Sequence, residues 1–143
     1  MDASSLVEDL ALVYLTHDGD VFACPQFRFG EGQPNPDALA LDFVNKLILV
    51  VEVSTGQNVQ ELGDRISSRE ERWYAGLRRL VSKLGLGEGW RLAVHVFVTE
   101  SSRTRLLNRI GGEQEDVCVT TIEKAISRAM DWRIPRDVPG VPR

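Results

Sequence analysis

Asp37 and Glu52 are the residues whose types and spacing suit this chain best for chemistry. They flank the segment Ala38-Leu39-Ala40-Leu41-Asp42-Phe43-Val44-Asn45-Lys46-Leu47-Ile48-Leu49-Val50-Val51, which reads as a β-hairpin. A turn centred on Val44-Asn45 sets Phe43 against Lys46, and the same register sets Asp37 directly opposite Glu52. Opposed residues on one face of an antiparallel pair have Cβ atoms roughly 4.5–5.5 Å apart. Two bare carboxylates at that distance repel, and one tends to hold a proton. A divalent cation between them removes the penalty, and hard cations such as Mg²⁺ favour oxygen ligands. The plain alternative is a turn residue at Asp37 and a solvated strand residue at Glu52.

The elements around the pair follow from periodicity and punctuation. Helical spacing of Leu6, Leu10 and Val13 predicts a helix from Ser4, as N-cap, to about Thr16. His17-Asp18-Gly19-Asp20 is a turn, and Val21 to Phe29 suits a strand in which Pro25 marks an edge or bulge. Gly30 to Pro36 is loop, and the hairpin strands span about 38–43 and 47–54. A long helix is expected from about Val59 to Leu84, stopped by Gly85 and open to interruption near Gly63 or Ser67-Ser68. Its apolar face holds Leu62, Ile66, Trp73, Leu77, Leu80 and Leu84. An adjacent face holds Arg65, Arg69, Arg72, Arg79 and Lys83. Arg91 to Val98 is a dense apolar strand of the sheet interior. Ser101 or Ser102 caps a helix to about Ile110. Val117 to Val119 is a short strand, and Thr120-Thr121-Ile122-Glu123 offers a capping box for a last helix to about Met130. The order α-β-β-β-α-β-α-β-α predicts an α/β fold, a mixed sheet flanked by helices.

This order, with Pro36-Asp37 opening the second strand and Glu52-Val53-Ser54 ending the third, resembles the PD-(D/E)XK nuclease superfamily, the restriction-endonuclease-like phosphodiesterases. The resemblance covers roughly residues 4–99. It implies a metal-dependent nuclease that hydrolyses phosphodiester bonds in nucleic acid, DNA in the first instance. Mg²⁺ or Mn²⁺ would be held by Asp37, Glu52 and the carbonyl of Val53, and Glu8 matches the acid that many members carry on the first helix. A solvated first-turn glutamate is the other reading of Glu8. The departure is Ser54, where members usually have a lysine that orients the attacking water and offsets charge. Losing such a group costs several kcal/mol of barrier. Arg65 and Arg69 are the candidate substitutes, and Lys46 sits too far away at the turn. The alternative function is a catalytically degenerate relative that binds nucleic acid or a protein partner. Gln57 and Gln60, at the start of the long helix, are candidate site or substrate contacts. Gln26 and Arg28 are weaker ones. The arginine face of the helix (Arg65, Arg69, Arg72) suits backbone phosphates, or else is a solvated face with partners such as Glu61 for Arg65. Trp73 reads as core, and Tyr74 would stack on bases only if exposed.

Composition sets the frame. The 143 residues, 43% hydrophobic, fit one domain over about 1–132, with a proline-containing, extended tail from 133 to 143. A membrane span needs about 18 or more consecutive apolar residues, and none is present. The acidic, polar N-terminus is unlike a signal peptide. Cys24 and Cys118 have no metal-ligand neighbour at short spacing and are expected as buried free thiols, so a cytoplasmic location is the default. Formal net charge is −4, which argues against polyanion binding over the whole surface. Residues 1–64 hold two basic against eleven acidic side chains, and residues 65–143 fifteen against ten. An acidic half beside a basic half suits a cation site next to a phosphate-binding surface. A homodimer or a recruiting protein is the other partner considered. His17 and His95 lack metal-spaced companions, no serine occupies a nucleophile elbow, and Gly85 to Gly89 lacks a phosphate-loop lysine.

Overall fold

The hairpin turn fixes the register on which the rest depends. The Asp42 carboxylate accepts the backbone N–H groups of Val44 and Asn45 at 3.1 and 3.0 Å and the Asn45 side-chain amide at 2.9 Å. Lys46 closes the turn in the left-handed region, with φ 53°. Strands β2 (Ala38–Asp42) and β3 (Leu47–Ser54) then pair antiparallel, with Asp42 opposite Leu47 and Ala38 opposite Val51. One step further along this ladder lie Asp37 and Glu52, as the turn position predicts.

The computed structural model describes residues 3–131, apart from 18, 26, 31–33, 57 and 87. The tail expected over 133–143 and the candidates Gln26 and Gln57 lie outside the described residues. Helix α1 (Ala3–Thr16) leads into β1 (Val21–Pro25), β2 and β3, followed by α2 (Gln60–Ser67), a π-helical turn (Glu70–Tyr74) and α3 (Ala75–Leu84). Strand β4 (Arg91–Val98), α4 (Glu100–Ile110), β5 (Val117–Thr121) and α5 (Ile122–Asp131) complete the order. The five strands form one sheet in sequence order, antiparallel across β1-β2-β3 and parallel across β3-β4-β5. This is the mixed sheet flanked by helices that the element order predicts.

Strand alternation divides the core into two layers. Leu39, Ile48, Val50, Val94, Val96 and Val98 meet α2, the π turn, α3 and α4 through Leu62, Ile66, Trp73, Leu77 and Leu106. Ala38, Ala40, Val51 and Phe97 meet α1 and α5 through Ala11, Ile122 and Ala125 on the opposite face. Glu52 and Ser54 share the parity of Ile48 and Val50, and Asp37 that of Leu39. All three therefore project to the α2–α4 face. Both faces of β3 are covered, which is why its sequence is a continuous apolar run rather than an alternation.

Several boundaries differ from expectation, each for a local reason. β1 stops at Pro25, which has no N–H to extend a ladder. Phe27 and Phe29 instead turn their rings into the core, and the Phe29 N–H donates to Asn35 Oδ1. The long helix breaks at Ser68, whose hydroxyl donates back to the Asp64 carbonyl at 2.6 Å, a bond that bends helices. The expected interruption near Ser67-Ser68 is thus present and continues into the π turn. α3 ends where Gly85 takes φ 63°, a conformation glycine adopts without steric cost. α1 already includes Ser4, and α4 starts at Glu100 with Thr99 as its N-cap residue, so neither Ser101 nor Ser102 caps it. The capping box does not form. β5 runs to Thr121, whose hydroxyl accepts the Lys124 N–H, while the Glu123 carboxylate accepts the Glu100 N–H at the start of α4. A carboxylate there also complements the positive end of that helix. Of the two free thiols, Cys24 is half-buried and Cys118 is exposed rather than buried. Among the described residues, no helix is long and apolar enough to cross a membrane.

Candidate functional site

The two carboxylates interlock through the backbone. The Asp37 N–H donates to Glu52 Oε2 at 3.0 Å, and the Val53 N–H donates to Asp37 Oδ2 at 2.8 Å. β2 ends one residue short of Asp37, so each side chain satisfies a main-chain donor that the ladder would otherwise leave unpaired. The Val53 N–H faces the β2 side. Its carbonyl therefore faces the same side, since in an antiparallel pair one residue presents both groups to its partner. The two carboxylates are thus tied to each other's backbone at the end of β3.

Arg65 reaches this pair. Its Nε donates to Glu52 Oε1 at 3.0 Å, and its Nη1 donates to Glu61 at 3.2 Å. A positive group thus reaches Glu52 from the last turn of α2. Arg69, the other candidate, does not. Its Nε and Nη2 bind the Asp116 carboxylate at 2.7 and 3.0 Å, its Nη2 also donates to Gln114, and its Nη1 donates to the Ile66 carbonyl. The Tyr74 hydroxyl donates to the same Asp116 at 2.7 Å. Arg69 is therefore part of a closed network at the start of β5 and is not a substitute for the missing lysine.

Electrostatics follow from this packing. Glu52 is only 3% exposed. Burial pushes its carboxyl up to about 7, and the facing Asp37 carboxylate adds to the rise; the Asp37 N–H and Arg65 pull the other way. Asp116 is held below the usual carboxylate range by Arg69 and Tyr74 against the cost of its burial. Burial and the nearby Asp116 carboxylate put the Tyr74 hydroxyl well above its ordinary range. Across the sheet, burial and then Lys124 lower His95 to about 4, and its Nε2 lies 2.8 Å from Thr120 Oγ1.

The other expected site residues scatter. Glu8 lies on α1, which packs on the opposite face of the sheet through Val7, Leu10 and Ala11. Among the described residues, no three or more His, Cys, Asp or Glu side chains cluster as a metal set. Gln60 is exposed at the first residue of α2, its N–H donating to Asn58 Oδ1. Arg28 is exposed in the loop after β1. Trp73 is fully buried and Tyr74 nearly so, which removes both as base-stacking platforms. Arg72 is half-buried with its guanidinium 5.7 Å from the Trp73 ring centroid, and its Nε has no hydrogen-bond partner. The arginine face expected on one long helix is therefore not a continuous surface. Arg65 and Arg69 point inward to carboxylates, and Arg78 on α3 pairs with Glu70.

Residues not anticipated from sequence build the rim beside Ser54. Ser102 is fully buried. Its hydroxyl donates to the Gly56 carbonyl at 3.5 Å and accepts from Thr99 Oγ1 at 3.1 Å and Arg105 Nη2 at 3.4 Å. In the sequence Ser102 reads only as an alternative N-cap of this helix, and nothing in the pattern marks it as buried. The fold and site together define a mixed α/β protein with a carboxylate pair, Glu52 buried and Asp37 half-buried, at the open end of a hairpin. Comparison with family models, with curated proteins and with solved structures finds no match to this chain.

Proposed function

We propose that the chain is a metal-dependent phosphodiesterase of the restriction-endonuclease-like kind, acting on nucleic acid, with Arg65 in the place of the missing lysine. The observation that carries this reading is the convergence of Asp37, Glu52 and Arg65 at the end of β3. The element order α-β-β-β-α-β and the antiparallel β1-β2-β3 meander followed by the parallel β4 are in keeping with that fold.

The residues fit a divalent cation. Burial first, and the facing Asp37 carboxylate second, raise Glu52 to about 7, and a bound cation would offset both. A carboxylate offers about four lone-pair sites, and the bonds described use one on Asp37 and two on Glu52. Asp37, Glu52 and the Val53 carbonyl would hold Mg²⁺ or Mn²⁺. When bound, the ion would polarise the phosphoryl oxygen and acidify a water. Arg65 supplies fixed positive charge beside Glu52 for the charge that develops on the phosphoryl oxygens, and its planar fork suits phosphate as well as carboxylate. The Ser54 hydroxyl, on the same face as Glu52, is suited to orient the water.

The test is cleavage of single- and double-stranded DNA and RNA with Mg²⁺ or Mn²⁺ by wild type, Glu52→Gln and Arg65→Ala. Cleavage abolished by chelator and by Glu52→Gln, and reduced by Arg65→Ala by about 10²–10³, supports the reading. Cleavage by Glu52→Gln at the wild-type rate overturns it. A second reading, a non-catalytic nucleic-acid-binding or protein-interaction relative, is favoured by one observation: both carboxylates already serve as hydrogen-bond staples for the hairpin backbone. Binding of substrate without cleavage by any of the three proteins would select it.

A further inference from the structure

Of the basic face expected over α2 and α3, Arg65 and Arg69 are bound to carboxylates and Arg72 is half-buried, while Arg79 and Lys83 stay exposed on α3. The helices α2 and α4 both begin at the C-terminal ends of parallel strands, β3 and β4, the end of a parallel sheet at which ligands settle. Three contacts define the seam between them. At its outer end the Ser102 hydroxyl donates to the Gly56 carbonyl in the loop that follows Ser54. Further along, Arg109 Nε and Nη2 bind Asp64 at 3.1 and 2.6 Å, and the Arg109 stem fills the space above Gly63. Arg105 lies between Ser102 and Arg109, three and four residues away, and so on the same edge of α4. It is exposed, and its Nη2 is steadied by Ser102 Oγ. Unlike Arg65, Arg69, Arg78 and Arg109, it pairs with no carboxylate among the described residues. The exposed side chains that open the two helices are Asn58, Gln60 and Glu61 at α2 and Glu100 and Ser101 at α4.

We infer that Arg105 is a phosphate contact for a nucleic-acid strand laid across the first turns of α2 and α4, leading to the Asp37–Glu52 pair. This rests on the function proposed above for its substrate class, and it relocates the binding surface from the α2–α3 arginines to the α2–α4 seam. A guanidinium held by a buried serine loses little freedom on meeting a phosphate, and its remaining donors face solvent. Arginine together with asparagine, glutamine and serine is the usual set for backbone contacts, which position a strand without reading its bases.

The test measures binding apart from cleavage. Fluorescein-labelled twenty-nucleotide oligothymidylate, oligouridylate and a mixed-sequence DNA duplex are titrated in EDTA over a range of salt. Wild type is compared with Arg105→Gln, Arg105→Lys and, as a control on α3, Arg78→Gln. Arg105→Gln should weaken single-strand binding roughly tenfold at low salt and flatten the plot of log affinity against log salt by about 0.7. Arg105→Lys should keep the slope, and Arg78→Gln should match wild type. The three probes separate DNA from RNA and single from double strand. Equal affinity and slope for wild type and Arg105→Gln, or no binding by wild type, overturns the inference. Salt-dependent binding through Arg105 with no cleavage under any metal would instead uphold it while refuting hydrolysis.

Discussion

Replacing Glu52 by glutamine should change the pH dependence of stability in a way that only a raised, paired carboxyl explains. In the folded protein the group sits at about 7, against an ordinary 4.5. Folding therefore favours the protonated form: its contribution is complete below about pH 4.5 and is lost as pH rises toward 7. The displacement corresponds to about 3 kcal/mol. His95 acts in the opposite sense. It sits at about 4 against an ordinary 6.5, so its contribution is present above 6.5 and lost as pH falls toward 4. That is again about 3 kcal/mol. In wild type the two slopes oppose one another between about pH 4.5 and 6.5, and the stability curve there should be nearly flat. Asp42 and Asp116, held below the usual carboxylate range, weaken the fold only in more acid solution. Glu52→Gln removes the falling contribution and keeps the side-chain shape, so its stability should climb by about 3 kcal/mol from pH 4 to 6.5. His95→Phe should show the converse, a decline toward pH 7. Urea unfolding at half-unit pH steps, with slopes checked for constancy, reads this directly. A Glu52→Gln profile parallel to wild type across this range would refute the reasoning, because the carboxyl would then titrate alike in folded and unfolded chains.

Other substitutions probe the surrounding contacts. Arg65→Met leaves a buried carboxylate without its cation and should cost about 3–5 kcal/mol at pH 8, and clearly less at pH 5, where Glu52 holds a proton; denaturant titration at both pH values checks it. Asp116→Asn removes the shared acceptor of Arg69 and Tyr74 and should cost about 1–3 kcal/mol by thermal unfolding. Gly63→Ala would drive a methyl into the Arg109 stem, where the nearest atoms are Cβ and Cγ rather than the flexible tip. The α2–α4 seam must open, at about 1–3 kcal/mol in unfolding free energy.

What was legible in the sequence was what short-range chemistry determines. Asp42 and Asn45 hold the turn, the turn sets the register, and the register puts Asp37 beside Glu52, so the pair could be read without a structure. The β3 and β4 boundaries were equally plain, because runs covered on both faces admit few alternatives. The break after Ser67 was visible as a serine pair, although its continuation as a π turn was not. Contacts between residues distant in the chain were not legible. Arg69 and Asp116 are 47 residues apart, and nothing along the helix tells an arginine bound to a loop carboxylate from one facing solvent. Tyr74 is hidden by the same carboxylate. Glu123 stood in a motif for capping its own helix and instead caps α4, a choice made by tertiary packing. That α1, which carries Glu8, packs on the other face of the sheet is a placement that element order alone does not reveal.

The central claim is that Asp37 and Glu52 form a divalent-cation centre. Titration of Mn²⁺ into the protein, followed by calorimetry and by loss of the free-ion electron paramagnetic resonance signal, tests it most directly. The account predicts one site, displaced by Mg²⁺ and lost in Asp37→Asn and Glu52→Gln while both variants remain folded. Absence of a site in wild type, or a site unchanged in the two variants, would contradict it.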